Sequence, residues 1–175
     1  MTAAQQIQDL FRPVIGQLVW SVRGGHGSFL TLEFGKPHIA VREPIDAKPE
    51  RSARVRRQLA RRRVHIVGDW HLWIQYSDWT LSVADGSLDS ASIGASPDEC
   101  LLDLDGQRLV AVESGALPHS WTFRFDLGGT LQAWPSSAYA PTDNQWSLHG
   151  WNGDAGDLRF IAAMRGDGAV VFEKT

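Results

Sequence analysis

Trp121-Thr122-Phe123-Arg124-Phe125-Asp126-Leu127 is the stretch of sequence that decides the fold. Its apolar and polar side chains alternate, and this period of two residues is typical of a β-strand with one buried face. An α-helix would scatter the same apolar side chains around its axis. Because Trp121, Phe123 and Phe125 are large, a second layer of structure must cover that face. The stretch therefore predicts a layered β protein.

Turn residues divide the rest of the chain into further short strands. Glycine stands beside aspartate or a second glycine at 85–86, 105–106, 128–129 and 166–168, as tight hairpins require. The hairpins predicted around the last three turns pair Leu101–Leu104 with Arg108–Val112, Trp121–Leu127 with Thr130–Trp134, and Leu158–Met164 with Ala169–Phe172. We expect about ten strands in an antiparallel meander that forms a sandwich or a curled half-barrel.

The first part of the chain predicts one short helix followed by three strands. Apolar residues at 4, 7, 10 and 11 recur at helical spacing, and Pro13 prevents the helix from continuing. The strands that follow are indicated by three apolar sets: Leu18, Trp20 and Val22; Leu30, Leu32 and Phe34; and Ile39 and Val41.

The tryptophan-rich segment 70–83 changes its apolar phase halfway. Trp70 and Leu72 are even-numbered, whereas Trp79 and Leu81 are odd-numbered. One face of a strand cannot hold both sets. We therefore expect a hairpin or a β-bulge near Ser77-Asp78.

Length and composition indicate a single domain over residues 1–175. A chain of 175 residues that is 43% hydrophobic can bury a core, and we expect about six or more of its eight tryptophans there. The lone Cys100 cannot form an intrachain disulfide. The N-terminal residues lack the features of a signal peptide, and no apolar run reaches the length of a membrane span. These features favour a cytoplasmic protein without membrane contact.

A basic insert occupies about residues 48–63. Seven arginines and no acidic residue lie in 51–63, while the whole chain carries a formal charge of −3, so the rest of the chain carries −10. Guanidinium groups are permanently charged forks of hydrogen-bond donors that bind carboxylates and phosphates. The insert predicts a binding surface for an acidic partner protein, with Arg54, Arg57, Arg61 and Arg62 as candidate contacts.

Two alternatives for the insert remain open. The insert could be a solvated loop, or a short helix that Val55 and Leu59, four residues apart, anchor while the arginines simply face water. Nucleic acid binding is disfavoured, because no aromatic residue lies among the arginines to stack on bases and the remaining charge would repel a polyanion.

Chemical motifs are absent from the sequence. It contains no phosphate loop, metalloprotease, paired-cysteine or nucleophile-elbow pattern, so we expect no cofactor, no metal and no catalytic residues. His65, Asp69 and His71 could form a metal or acid/base site if an extended strand brought them to one face, but Gly68 interrupts the strand, which favours structural or surface roles. Trp73 lies on the same face of its strand as His71, opposite the apolar face of Trp70 and Leu72. His71 and Trp73 are therefore candidate binding residues.

A pattern of strand and turn residues resembles a broad class of proteins. It comprises the segments Ile15–Trp20, Ser28–Gly35, Phe125–Leu131 and Gln145–Leu148, and it is similar to that of small bacterial β-rich proteins, among which immunity proteins of toxin systems are common. The resemblance implies inhibitory binding of another protein, and it transfers no catalytic residue.

The leading hypothesis is a non-enzymatic module that binds and neutralises a partner protein, such as a cognate toxin. One alternative is a β-barrel that binds a small ligand or carbohydrate with His71 and Trp73; another is an enzyme whose site no motif marks. A cavity of several hundred Å³ lined by tryptophan and histidine would favour the ligand hypothesis. A closed core beside a charged surface would favour the partner hypothesis.

Overall fold

A computed structural model describes residues 2–25, 27–92, 99–152 and 157–174. Strands account for 48% of the chain and helices for 14%, which confirms a mainly β fold. The helices are α1 (Ala3–Phe11), α2 (Ala53–Leu59) and α3 (Glu99–Leu104). The described residues contain thirteen strands: β1 (Val19–Gly24), β2 (Leu30–Phe34), β3 (His38–Arg42), β4 (Arg63–Val67), β5 (Trp70–Ile74), β6 (Ser77–Val83), β7 (Gly86–Asp89), β8 (Leu109–Ser114), β9 (Trp121–Phe125), β10 (Thr130–Pro135), β11 (Asn144–Asn152), β12 (Asp157–Arg165) and β13 (Val170–Lys174).

The strands form three antiparallel sheets. A six-stranded sheet has the order β1-β2-β5-β11-β12-β13, and a five-stranded sheet has the order β7-β6-β10-β9-β8. Strands β3 and β4 pair with each other as a separate two-stranded sheet, here called the ribbon. Helix α2 lies between the two ribbon strands in the chain, so the basic insert is the connection of the ribbon.

The two larger sheets face each other across one hydrophobic core. Trp146 of β11 lies edge to face with Trp121 and Phe123 of β9, at ring-centroid distances of 6.2 and 5.9 Å. Phe11 of α1 joins them, 5.6 Å from the rings of both Phe123 and Trp146. The predicted sandwich is therefore confirmed, and the N-terminal helix contributes to its core.

Local sequence explains the best-predicted elements. The sets Leu30, Leu32, Phe34 and Trp121, Phe123, Phe125 are buried as their alternation predicts. Helix α1 begins with a capping box, in which the Thr2 hydroxyl accepts from the Gln5 backbone N–H and the Gln5 side chain accepts from the Thr2 N–H. It ends at Phe11, just before Pro13, as predicted.

The face predicted for the first strand is wrong. Val19 and Val22 are buried, whereas Leu18 is exposed and Trp20 is only partly buried. The pairing of β1 with β2 shifts between Trp20 and Arg23, where Ser21 adopts a positive φ of 53°. This β-bulge turns the following side chains to the other face.

The hairpin or bulge expected near Ser77-Asp78 is also wrong. Strand β5 pairs with β2 and β11, while β6 pairs with β7 and β10. The chain therefore leaves one sheet at Gln75 and enters the facing sheet at Ser77. The apolar alternation changes phase between Leu72 and Trp79 because the two side chains enter the same core from opposite sheets.

The hairpin predicted around Asp105-Gly106 is wrong in its first half. Residues Glu99–Leu104 form helix α3, whose Leu101 and Leu104 are three residues apart and both buried. Gly106 follows with a φ of 90°, a left-handed conformation that suits the end of a helix. The other predicted hairpins, around 85–86, 128–129 and 166–168, are present.

Fewer tryptophans are buried than expected. Trp79, Trp121 and Trp146 lie in the core, whereas the remaining five are only partly buried: Trp20, Trp70, Trp73, Trp134 and Trp151. Alternation with aliphatic residues places a ring on one side of a sheet, but it does not ensure that another layer covers that ring.

Replacing Phe123 with alanine should lower the free energy of unfolding by roughly 3–5 kcal/mol, because the ring is fully buried between α1 and the two sheets. Denaturant titration measures this loss. Phe172→Ala is the control, since Phe172 is 54% exposed and should lose less than about 1 kcal/mol. Equal losses for the two variants would contradict the burial described here.

Candidate functional site

The outer face of the six-stranded sheet carries a polar cluster at its centre. Leu72 of β5 and Trp146 of β11 point into the core, so the alternation of a strand directs their neighbours outward. The outward side chains include His71 and Trp73 of β5, and Ser147 of β11. We call this surface the cleft face.

Strand register brings residues from distant parts of the chain into two rows on the cleft face. Adjacent strands are paired residue by residue, and side chains of paired residues lie on the same side. The first row runs Glu33, His71, His149, Ile161, Glu173. The second runs Thr31, Trp73, Ser147, Ala163, Val171.

Hydrogen bonds fix one end of the first row. Glu33 is nearly buried, and its Oε1 lies 2.7 Å from Nδ1 of His71. Its other oxygen, Oε2, accepts a hydrogen bond of 2.8 Å from the backbone N–H of Gly68. A carboxylate with both oxygens bonded holds its partners in place, so Glu33 orients the His71 ring.

The cluster continues from His71 to the second row. The rings of His71 and His149 lie edge to face, with centroids 5.6 Å apart. Nε2 of His149 shares a hydrogen bond of 3.0 Å with Oγ of Ser147. Gln75 donates from Nε2 to the same oxygen at 2.8 Å. Five side chains from β2, β5 and β11 and the segment that follows β5 thus form one connected polar cluster.

His149 is uncharged at neutral pH. Burial lowers its pKa from the ordinary value of 6.5 to about 4, because a buried imidazolium loses its hydration. The neighbouring His71 ring lowers the pKa further, and the Glu33 carboxylate raises it in part. His149 therefore offers a hydrogen-bond donor and an acceptor to its surroundings without a charge.

A cleft of about 400 Å³ opens beside this cluster. Ser147 and Ala163, both small, form its floor, and Trp73 stands on one side of them. The remaining lining side chains are Gln75, Asn144, His149, Ile161, Arg165, Val171 and Glu173. Its volume lies within the range of small-ligand sites.

Aromatic rings support the Trp73 side of the cleft. Phe29 lies edge to face with both Trp73 and Tyr76, at 5.7 Å from each ring centroid. Tyr139 contacts Tyr76 in the same way at 5.2 Å. This chain of rings holds the Trp73 indole in position, since edge-to-face pairs favour one relative orientation.

The cluster is better suited to hydrogen bonding than to proton transfer. A serine beside a histidine can act as a nucleophile, but Ser147 is only 1% exposed and already accepts from Gln75. A histidine with a pKa of about 4 is a weak base at pH 7. Within the described residues, no group of three or more histidine, cysteine, aspartate or glutamate side chains could hold a metal ion.

A second candidate surface lies on the ribbon. Ile39 pairs with Ile66, and Val41 pairs with Val64, so these four side chains share one side. They are 50–67% exposed. We call this side of the ribbon the ribbon face. The opposite side is sheltered, since Ala40 and Val67 are buried there.

Helix α2 carries part of the basic insert beside the ribbon. Arg42 of β3 fixes its end by donating to the backbone oxygens of Gln58 and Arg61, both at 3.0 Å. Arg62 forms an ion pair with Glu43 at 2.8 Å, and this contact lowers the pKa of Glu43. Part of the insert thus adopts the helical one of the alternatives considered above, with Val55 and Leu59 partly buried and the arginines exposed.

The residues predicted as binding contacts fall into two groups. His71 and Trp73 share the cleft face and both contact the ring of His149. Arg54 and Arg57 lie on α2, and Arg61 and Arg62 follow it. No hydrogen bond, ion pair or ring contact found among the described residues joins these arginines to His71 or Trp73.

Sequence reasoning missed Glu33, Ser147 and His149. The trio of His65, Asp69 and His71 is not assembled, because Asp69 pairs with His38 at 2.6 Å and His71 pairs with Glu33. Alternation in Gln145-Trp146-Ser147-Leu148-His149 could have placed Ser147 and His149 on one face. The partner strands were the missing information.

His149→Gln should reduce the acid sensitivity of folding. The unfolded chain binds a proton at His149 near pH 6.5, whereas the native protein binds it only near pH 4. Stability is therefore lost as the pH falls through this window. Because His149 is partly exposed, solvent screening reduces the effect, and we expect a loss of about 2 kcal/mol between pH 7 and 4.5. The glutamine variant should lack this part of the pH-dependent loss of unfolding free energy. Denaturant titrations at several pH values measure the difference.

His65→Gln is the control for this measurement, since His65 lies exposed on β4. It should retain the pH dependence of the wild type. A His149→Gln protein with an unchanged slope would contradict the burial of an uncharged imidazole.

Comparison with known proteins yields no relationship. No protein-family model matches the chain, and no curated protein or solved structure is significantly similar to it. No helix in the described ranges is long and apolar enough to cross a membrane. The geometry of the cleft face and the ribbon face is thus the basis for interpreting function.

Proposed function

We propose that this protein is a non-enzymatic module that binds a partner protein through the ribbon face and the neighbouring arginines. The observation that carries the proposal is the exposure of four aliphatic side chains on the ribbon face beside the basic insert. An apolar patch bordered by polar groups is typical of a protein interaction site.

These four side chains remain largely exposed to water on the folded ribbon. An isolated pair of strands is marginally stable in water, and here only one side of the pair is sheltered. The exposed aliphatic residues would gain stabilisation from a partner that removes them from water, at roughly 25 cal/mol for each Å² buried. Ile39 and Ile66 are the most exposed of the four, so they would be the principal apolar anchors.

The charge distribution supports an acidic partner. Six of the seven insert arginines have no ion pair within the described residues, Arg62 being the exception. The rest of the chain carries a formal charge of −10, so an acidic partner would be attracted to the insert and repelled elsewhere. We infer a partner with an apolar centre and an acidic rim.

We place the partner in the class of a cognate toxin, and the complex in the cytoplasm. The resemblance of the strand and turn pattern to small bacterial β-rich proteins, among which immunity proteins are common, favours this assignment. In such a complex the module would inhibit by covering a surface of the toxin, which requires no catalytic residue of its own.

The double substitution Ile39→Thr and Ile66→Thr should weaken partner binding by about tenfold or more. Threonine keeps the β-branched shape that suits a strand and removes apolar area at both members of one cross-strand pair. The assay pairs the protein with the product of the adjacent gene and measures affinity by calorimetry and protection by growth rescue. Leu127→Thr, at another exposed aliphatic side chain, is the matched control and should bind normally.

The triple substitution Arg54→Ser, Arg57→Ser and Arg61→Ser should slow association, most strongly at low salt, because steering by exposed charges is screened by ions. A second triple, Arg12→Ser, Arg23→Ser and Arg124→Ser, changes the net charge equally on other elements. Its on-rate should not fall. Identical rates for both triples would show that only net charge matters.

Light scattering of the unbound protein completes the test. A monomer leaves the ribbon face free for a partner, as proposed. A dimer that the two threonine substitutions dissociate would instead assign the ribbon face to a second copy of the chain, and it would overturn the proposal.

A further inference from the structure

We propose that the cleft on the outer face of the six-stranded sheet binds a neutral saccharide, a mono- or disaccharide, in addition to the function proposed for the ribbon. The inference comes from the shape of the cleft, its aromatic side and its balance of charge. None of its lining residues belongs to the ribbon or to the basic insert.

The shape follows from side-chain size along the second row. Trp73 is large, Ser147 and Ala163 are small, and Val171 is larger again. A row with small residues at its centre leaves a trough that runs along the strands. Ser147 and Ala163 are nearly inaccessible to water, so the floor is sheltered although it lies on an outer face.

Trp73 supplies a flat apolar side for the trough. Its ring is partly exposed and lies against the rings of Phe29 and His149, with centroids 5.7 and 6.4 Å away. The face of an indole carries partial negative charge, which attracts the weakly positive C–H groups on one face of a pyranose ring. A pre-oriented ring also binds with little loss of side-chain entropy.

Polar groups surround the trough and are mostly uncharged. Gln75, Asn144 and His149 provide amide and imidazole groups that match the paired donor and acceptor character of sugar hydroxyls. The uncharged state of His149 at neutral pH agrees with this role.

The two charged lining residues, Arg165 and Glu173, differ in their surroundings. Arg165 donates to the Asp167 carboxylate at 2.8 Å, so its charge is already compensated. Glu173 lies exposed on the edge strand β13, where it can accept from hydroxyl groups and repels an anion. This arrangement favours a neutral ligand over a phosphate or a carboxylate.

Saturation-transfer NMR with the full-length protein tests the proposal directly. The probes are glucose, galactose, N-acetylglucosamine, maltose and cellobiose, with glucuronate as the anionic counterpart of glucose. We expect at least one neutral sugar to bind more tightly than about 1 mM by calorimetry, and glucuronate to bind at least about tenfold more weakly than glucose or not at all.

Two tryptophan substitutions on one strand give a matched pair. Val171→Trp places a ring in the trough and should weaken sugar binding by about tenfold or more. Phe172→Trp adds a ring on the opposite side of β13 and should leave affinity within about twofold. Both positions are exposed, so folding should persist, and circular dichroism checks that it does. Trp73→Ala should also abolish binding.

Three results would overturn the proposal: no probe binds, glucuronate binds as well as glucose, or Val171→Trp binds like the wild type. Because the ribbon is unchanged in Val171→Trp, this variant should still bind a partner protein. Failure of the cleft proposal and failure of the ribbon proposal are therefore distinguishable.

Discussion

The contact of Trp146 with the facing sheet is the constraint on which the rest of the structure depends. Its ring meets Trp121 and Phe123 from the five-stranded sheet and Phe11 from α1, so two separate parts of the chain, α1 and β9, converge on one side chain. Aromatic rings remove large areas from water. Strand β11 is one of the two central strands of the six-stranded sheet, and this position places Trp146 in the core.

The same contact determines what the cleft face can contain. Once Trp146 points inward, Ser147 must point outward, and the alternation continues to His149. Strand pairing then sets His149 opposite His71, and His71 opposite Glu33. Core packing and the polar cluster are therefore two sides of one arrangement, and a shift of β11 by a single residue would destroy both.

The sequence predicted those parts of the structure that depend on neighbours along the chain. The strand Trp121–Phe125, the helix before Pro13 and the hairpin at Gly128 follow from alternation, a breaker and a turn residue. The segment at position 77 was misassigned because a change of apolar phase indicates a bulge and a change of sheet equally well. Helix α3 was misassigned because Leu101–Leu104 is too short to distinguish a helix from a strand.

The candidate site was predictable only in part for a related reason. His71 and Trp73 could be placed on an outward face from their own strand. Glu33 and His149 lie 38 residues before and 78 residues after His71 in the sequence, and only long-range pairing brings them together. The ribbon face could not be predicted for a different reason. The alternation of Ile39 and Val41 indicates a strand with an apolar side, but it does not show whether another layer covers that side.

Gly68 connects the ribbon to the Glu33 carboxylate. A side chain at position 68 would collide with the backbone of Phe34, so the chain leaves the ribbon in direct contact with β2. The backbone N–H of Gly68 donates to one oxygen of Glu33, and the other oxygen of Glu33 holds His71. A displacement at the base of the ribbon would therefore act on the same carboxylate that holds His71. If binding at the ribbon changes the affinity of the cleft for its ligand by this route, binding in the cleft changes the affinity of the ribbon for its partner by the same factor.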